Sequence, residues 1–448
     1  MTGYESFSAT HIGGSHVTAG TVCQDYSGHF DEDKLTVAIV ADGHGSSSFV
    51  RSDRGSRFAY QAAEKAIKEF VEKTDFDALR TTDTRDEAMY LLCKNVLLHW
   101  YELVEEDCAN NPFTEEEAEN VPEKYRQAYL TGMNMQHAYG TTLIATVITD
   151  KCFFAIRNGD GECVILDKDG HFSKPIPWND NCESSTTTSL CGTNALADFR
   201  FCYLDEVPKA VYIGTDGVDD SYSSEEELYS LYRELSLIGI DAGKAAVESA
   251  LEEFLPKLTA RGSMDDVSIA GIINCEGLLP LKDELSHQRE EIIAAQQEKE
   301  KALQIKRLNM KINLLQKELY RECDDSRRTE LESQISALNN ELSRFTPVCD
   351  DVSAKQPADE ESSPEAVESE LQSAPESSLE AVEDRPQSVP ESSPETVDNA
   401  PQPVSEFSLE AVGDISQSVF ESSLDSSGPS VEEINSGSSD SLVAKQIQ

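Results

Sequence analysis

The stretch Val37-Ala-Ile-Val-Ala-Asp42-Gly43-His44-Gly45 is an apolar run that ends in a carboxylate, two glycines and a histidine. Such a run is typical of a buried β-strand. A carboxylate at the end of a buried strand is held rigidly, as a metal ligand should be, and Gly43 lets the backbone turn so that its carbonyl can also reach a cation. Taken alone, the stretch is explained equally well by an ordinary turn.

Three further acidic motifs lie beside strand-like runs, and each could be an ordinary turn-capping site. They are Asp25 in Cys23-Gln-Asp-Tyr26, Asp216 in Val211-Tyr-Ile-Gly-Thr-Asp-Gly217 and Asp265 in Ser263-Met-Asp-Asp-Val267. Unpaired carboxylates that converge in a core repel one another unless they are protonated or bridged by cations. The four motifs together therefore predict a cluster of divalent cations, and hard ions such as Mg²⁺ and Mn²⁺ take these oxygen ligands.

Residues 1–280 contain strand-like and helix-like segments, which predict layers of sheet and helix around one core. The strand-like runs are short and rich in Val, Ile, Phe and Thr: Leu35–Ala41, Thr141–Thr149, Cys152–Arg157, Glu162–Leu166, Phe199–Leu204, Ala210–Thr215 and Val267–Ile273. The helix-like segments carry apolar residues at helical spacing, such as Leu91, Val96, Leu98 and Tyr101: Arg51–Glu72, Arg85–Glu106, Pro122–Thr131, Glu225–Leu235 and Ala242–Phe254.

Residues 283–345 contain no Gly or Pro and are predicted to be helical. Apolar residues follow heptad spacing in two runs, Ile305–Leu319 and Leu331–Phe345, and the polar stretch Asp324–Arg328 breaks their register. This pattern predicts a helical hairpin or an interrupted coiled coil that self-associates or docks a partner. A single long, solvated helix is the alternative.

Residues 346–448 repeat a 15-residue unit, which begins as Glu361-Ser-Ser-Pro-Glu-Ala-Val367 and recurs from Glu376, Glu391, Glu406 and Glu421. Ser, Pro and Glu dominate this stretch. Such a composition buries too little apolar surface to offset the entropy lost on ordering. We therefore predict a disordered acidic tail.

The formal net charge of −47 excludes a basic nucleic-acid-binding protein, because phosphate backbones need clustered Lys and Arg. The chain has no run of 18 apolar residues, so we predict no membrane span. Its start lacks the basic and apolar regions of a signal peptide, and its 11 Cys lack zinc-ligand spacing. These features predict reduced thiols and a cytoplasmic location.

Six motifs follow one another in a set order: Gln24-Asp25, Ala41-Asp-Gly-His-Gly45, Gly140-Thr-Thr142, Asn158-Gly-Asp-Gly-Glu162, Thr215-Asp-Gly-Val-Asp-Asp220 and Ser263-Met-Asp-Asp-Val-Ser268. This ordered set, within residues 8–275, resembles the protein phosphatase 2C family of metal-dependent serine/threonine phosphatases, and its opening is most similar to a bacterial branch. The resemblance implies an α+β fold, a four-layer α-β-β-α sandwich of two antiparallel sheets flanked by helices. It covers neither the helical segment nor the tail.

Residue by residue, the resemblance implies a centre of two Mn²⁺ or Mg²⁺ ions. Asp42 matches the carboxylate that bridges both ions, and the backbone carbonyl of Gly43 matches a ligand of the second ion. Asp216 and Asp265 match the other ligands of the first ion. Asp25 matches an acidic residue near the second ion that acts through water.

The implied activity is hydrolysis of phosphoserine and phosphothreonine in proteins by a metal-activated water, without a phosphoenzyme. Asp42 and His44 are the expected catalytic residues, and His44 matches a histidine proposed as general acid toward the leaving alcohol. A turn histidine bonded to a carboxylate is the alternative for His44. Two other functions stay open: an adaptor that assembles partners through the helical segment, and a metallohydrolase of small phosphoesters or nucleotides.

The sequence departs from the family pattern at three places. Gln24 stands where many members have Glu, which should weaken the second ion. Gly20 stands where eukaryotic members have a phosphate-binding Arg, for which His16 or Arg51 could only partly substitute. The stretch 135–139 ahead of the Gly-Thr-Thr motif has no Asp, so a third ion is not expected unless His137 changes the character of that site.

Overall fold

The computed structural model describes residues 3–79, 81–182 and 186–345. These residues belong to two compact units, of which one ends at Ile293 and the other begins at Ala294. The predicted acidic tail, 346–448, lies outside the described residues. The predicted limits of the domains, 1–280 and 283–345, stay predictions.

Two five-stranded antiparallel sheets form the centre of the first unit. The first sheet has the order β1-β10-β9-β6-β7 and the second has the order β2-β3-β4-β5-β8. The strands are β1 Glu5–His11, β2 Tyr26–Glu32, β3 Leu35–Ala41, β4 Leu143–Thr149, β5 Phe153–Asn158, β6 Glu162–Leu166, β7 Phe172–Ser173, β8 Arg200–Leu204, β9 Ala210–Gly214 and β10 Val267–Ile273.

Helices cover the outer faces of both sheets. The α-helices are α1 Gly14–Ala19, α2 Ser52–Lys73, α3 Thr82–Asn110, α4 Glu115–Ala118, α5 Glu123–Leu130, α6 Ala195–Asp198, α7 Asp216–Asp219, α8 Glu225–Ala242, α9 Lys244–Arg261, α10 Cys275–Leu278, α11 Lys282–Arg321 and α12 Asp325–Leu342. Short 3₁₀ turns occupy Phe76–Ala78, Met135–Tyr139 and Leu279–Leu281. None of the helices in the described part of the chain is long and apolar enough to cross a bilayer.

Three apolar clusters hold these layers together. One lies between the sheets and includes Val40, Ile144 and Ile213. A second packs helices α2 and α3 against the second sheet, and a third packs α8 and α9 against the first sheet. The order of layers is therefore helix, sheet, sheet, helix, and the predicted four-layer α-β-β-α sandwich is confirmed.

The structure adds elements that the sequence patterns did not predict. Strands β1 and β2 are rich in Ser, His and acidic residues, so they lack the β-branched runs that identified the other strands. Helix α9 was predicted over Ala242–Phe254, but it continues to Arg261 with Pro256 inside it. Burial of Leu255 and Leu258 offsets the hydrogen bond that the proline removes.

The second unit is built by the later turns of α11 and by α12. Leu308, Ile312 and Leu331 are buried on the predicted heptad seams. The Arg327 guanidinium lies 3.1 Å from a Glu318 carboxylate oxygen, and Arg328 donates to the carbonyl of Leu319 at 3.2 Å. These contacts across the connection indicate that α12 turns back along α11 as a helical hairpin.

A pair of substitutions tests this hairpin. Leu331 is 0 % exposed, whereas Tyr320 on α11 is 90 % exposed. We expect Leu331→Ala to destabilise the helical unit by about 2–5 kcal/mol, because it leaves a cavity between the helices. Tyr320→Ala is the matched control and should have little effect. Hydrogen exchange of residues 300–342 in the full chain measures both, and equal protection in the two variants would contradict the paired arrangement.

Candidate metal centre

The site begins where strands β2 and β3 meet. These strands are antiparallel and Tyr26 pairs with Ala41, so Asp25 and Asp42 emerge at the same edge of the second sheet. The Gly140-Thr-Thr142 motif fixes the backbone of Asp42 from the neighbouring strand. Thr141 Oγ1 donates to the Asp42 carbonyl at 2.8 Å, and the Asp42 amide donates to Thr142 Oγ1 at 3.0 Å.

The first sheet brings the other acidic motifs to the same place. Strands β9 and β10 are antiparallel, and Gly214 near the end of β9 pairs with Ile269 near the start of β10. Asp216 and Asp265 therefore lie side by side. A Cβ on Gly217 would stand 2.1 Å from the carbonyl oxygen of Asp266, so only glycine permits this close approach of the two backbones.

The carboxylates of the site interact strongly with one another. Burial, followed by the negative charges of Asp25 and Asp216, raises the pKa of Asp42 well above its ordinary value. Burial and the charges of Asp160 and Asp265 raise the pKa of Asp216 to about 7. The main causes of both shifts are burial and neighbouring carboxylates, and none of them is a basic side chain. The site therefore concentrates negative charge.

Asp25 lies at the inner side of this group. Burial raises the pKa of Asp25 well above its ordinary value, and the hydrogen bond from Thr215 opposes the shift. Thr215 Oγ1 donates to Asp25 Oδ2 at 2.8 Å. Asp25 also feels the charges of Asp216 and Asp266, so it belongs to the same electrostatic cluster.

Asp160 also belongs to the cluster, and its role was left open by the sequence. Its charge raises the pKa values of Asp42 and Asp216, and its Oδ1 atom is buried without a hydrogen-bond partner among the described residues. In the sequence, Asp160 sits in the turn motif Asn158-Gly-Asp-Gly-Glu162, which is as typical of a structural turn as of a functional group. Pairing of β5 and β6 with central strands of different sheets places this turn at the site.

Gly43 lies between two backbone segments. A Cβ at this position would stand 2.6 Å from the carbonyl oxygen of Gln24 and 2.7 Å from that of Ser52. The Gly43 amide donates to the Gln24 carbonyl at 3.2 Å. The Gln24 side-chain amide donates to Ser52 Oγ at 2.8 Å.

His44 is held beside two aromatic groups. Its ring meets Phe49 edge-on at 4.7 Å, and Phe49 stacks on His137 at 4.6 Å. Burial, and then the charge of His137, lowers the pKa of His44 to about 4. His137 also stacks on Tyr125 at 4.2 Å and hydrogen-bonds Tyr129 through Nδ1 at 2.7 Å. His137 is therefore packed among rings.

Arg51 is not available to bind phosphate, although the sequence offered it as a substitute for the missing arginine. It is 2 % exposed, and its guanidinium forms a two-pronged ion pair with Glu117 at 2.8 and 2.9 Å. The guanidinium also donates a hydrogen bond to the hydroxyl of Tyr139 at 2.7 Å, and it lies 3.8 Å from the centre of the Phe113 ring. Arg51 thus joins α2 to the segments that follow α3.

Asp265 extends toward solvent at the rim of the site, with 57 % of its side chain exposed. The residue before it, Met264, has a φ of 65°, a strained left-handed conformation for a residue with a side chain. His16, Asp265 and Asp266 each offer one ligand atom, and these atoms all lie within 4.8 Å of one another. Crowded carboxylates and orphaned buried oxygens fit divalent cations, which would neutralise the repulsion.

Several solved structures are similar to this chain. Among solved structures, PppA from Pseudomonas aeruginosa matches at 16 % identity (TM-score 0.38), covering 61 % of this chain and 98 % of that chain. Stp1 from Staphylococcus aureus matches at 14 % identity (TM-score 0.38), covering 61 % of this chain and 95 % of that chain. The PstP catalytic domain matches at 15 % identity (TM-score 0.36), covering 60 % of this chain and 98 % of that chain.

The family comparison is more informative than these distant structures. Among curated proteins, none matches the chain in sequence. The family model described as protein phosphatase 2C matches residues 12–256, which is more than half of the chain and includes Asp25, Asp42, Gly43, His44 and Asp216. The chain belongs to the protein phosphatase 2C family.

Proposed function

We propose that this chain is a divalent-cation-dependent phosphatase that hydrolyses phosphoserine and phosphothreonine in proteins. The observation that supports this function most directly is the crowding of the carboxylates of Asp42, Asp216 and Asp160. Cation binding is the simplest explanation for a fold that keeps mutually repelling carboxylates together. Membership of the protein phosphatase 2C family supplies the reaction class.

The proposed ligands are those that the family resemblance implies, and the electrostatic interactions among Asp25, Asp42, Asp216 and Asp265 support them. Asp42 would be shared between two Mn²⁺ or Mg²⁺ ions, with Asp216 and Asp265 at the first ion and the Gly43 carbonyl and Asp25 at the second. When bound, the ions would supply the positive charge that activates water and offsets charge on the phosphoryl group. The chain contributes the rigid placement of these oxygens, through the threonine contacts to Asp42 and the close packing at Gly43.

His44 is proposed as the general acid for the leaving serine or threonine oxygen. With its pKa lowered to about 4, the ring is neutral near pH 7 in the protein alone. It can therefore donate a proton efficiently only if a bound phosphoryl group raises that pKa. The His44 amide donates to the Gly140 carbonyl at 3.1 Å, and the ring contacts Phe49, so both the backbone and the side chain of His44 are held in place.

A second candidate function is an adaptor that assembles with a second copy of this chain through α11. Leu303, Met310 and Leu314 are 42–61 % exposed on this helix and are spaced seven and four residues apart. Replacing all three with Gln should lower the sedimentation coefficient of the full chain if this stripe joins two copies. An unchanged coefficient in the triple variant would remove this candidate.

Asparagine substitutions test the metal centre. Asp42→Asn and Asp216→Asn should each lower Mn²⁺-dependent hydrolysis of a phosphopeptide by at least about 100-fold, because each removes a charged ligand. In EDTA, Asp42→Asn should also raise the thermal unfolding midpoint, because it relieves carboxylate repulsion. Exposed Asp150→Asn is the matched control and should change neither quantity. Wild-type turnover that persists in EDTA, or no turnover with Mn²⁺, would contradict the proposed function.

A leaving-group comparison tests the role of His44. His44→Gln should lower kcat on a phosphoserine peptide by about 10²–10⁴-fold, because the serine alkoxide needs a proton as it leaves. The same variant should lose much less on p-nitrophenyl phosphate, whose phenolate leaves without protonation. Steady-state kinetics on both substrates measure the ratio. Equal losses on the two substrates would mean that His44 positions the site and does not act as an acid.

A further inference from the structure

The short helix α1 places His16 against the two carboxylates that precede β10. His16 Nδ1 lies 2.9 Å from Asp266 Oδ1, and His16 Nε2 lies 3.9 Å from Asp265 Oδ1. The side chain of His16 is 17 % exposed, so the ring is largely enclosed. His16 belongs to α1, which lies in the connection between β1 and β2.

The backbone that carries His16 is firmly attached to the loop that carries Asp265. The two oxygens of Asp266 accept the amides of Gly13 and Gln24, each at 2.6 Å. The Ser15 amide donates to the carbonyl of Met264 at 2.9 Å. A Cβ on Gly13 would stand 2.4 Å from the carbonyl carbon of Asp265, so the two loops touch at backbone distance. The ring is therefore held in place by the backbone around it.

The two ring nitrogens of His16 face different carboxylates. Nδ1 is buried and lies 2.9 Å from Asp266 Oδ1, which is the distance of an ion pair. Nε2 is directed to Asp265 and lies 3.9 Å from its Oδ1 atom. A metal-binding histidine commonly pairs its second nitrogen with a carboxylate, which orients the ring, so Nε2 is the nitrogen placed to bind a cation at Asp265.

The nearby acidic residues show where that ion would sit. Asp265 is the proposed ligand of the first cation and is the third member of the group that lies within 4.8 Å. We propose that His16 supplies a nitrogen ligand to the cation at Asp265, and that this ligand favours Mn²⁺ over Mg²⁺. The preference follows because imidazole nitrogen suits transition metals, whereas Mg²⁺ prefers oxygen ligands. This inference rests on the proposed function, which supplies the cation.

The test is pulsed electron paramagnetic resonance of Mn²⁺ bound to the full-length protein. Mn²⁺ next to an imidazole nitrogen gives ¹⁴N modulation of the electron spin echo, and labelling the protein with ¹⁵N-histidine must change that modulation. We expect the modulation in the wild type and its loss in His16→Gln and His16→Asn. The labelled wild type keeps the test valid even if a variant folds poorly. His171→Gln, which alters an exposed histidine, is the matched control and should keep the modulation.

Affinity gives a second readout. Calorimetric titration should show about a tenfold or larger loss of Mn²⁺ affinity in His16→Gln, with a smaller change for Mg²⁺. Bound Mn²⁺ without modulation that depends on His16 would overturn this inference and leave the phosphatase proposal standing. Absence of Mn²⁺ binding would overturn both. A His16 variant with unchanged Mn²⁺ spectra and a raised KM would instead assign His16 to the substrate phosphate, which also overturns the inference.

Discussion

Repulsion between buried carboxylates is the constraint on which the rest of this structure depends. Asp42 and Asp216 come from different sheets, yet the charge of Asp216 raises the cost of ionising Asp42, and the charges of Asp160 and Asp265 raise the cost of ionising Asp216. Bringing buried carboxylates together costs free energy of folding, so packing and hydrogen bonds in the surrounding layers must offset that cost. A divalent ion that binds these carboxylates would neutralise their repulsion and stabilise the folded state, so stability and metal binding are coupled.

The sandwich provides that support through its pattern of strand pairing. The edge where β3 ends and β2 begins faces the edge where β9 ends and β10 begins, and apolar residues such as Ile144 and Ile213 fix the two sheets against each other. Tight contacts at Gly43 and Gly217 let the connecting backbones approach closely enough to share one site. The packing of the two sheets thus determines where the acidic side chains lie relative to one another.

Sequence patterns predicted much of this architecture, and the failures have physical causes. The buried strand Leu35–Ala41 was predicted with its observed limits because both of its faces are covered. Helix α3 was predicted, but Leu91 and Leu98 are about half exposed, because apolar spacing alone does not show which stripe the sheet covers. In the site, the place of Asp160 and the partners of His16 and Arg51 could not be predicted. They are set by contacts between segments that are distant in sequence, which no local pattern encodes.

The most direct measurement is anomalous X-ray diffraction at the manganese edge from crystals grown with Mn²⁺. We predict two anomalous peaks beside Asp42, one shared with Asp216 and Asp265 and one next to the Gly43 carbonyl. If crystals soaked to saturation with Mn²⁺ show no peak within coordination distance of Asp42, the carboxylates do not form a metal centre.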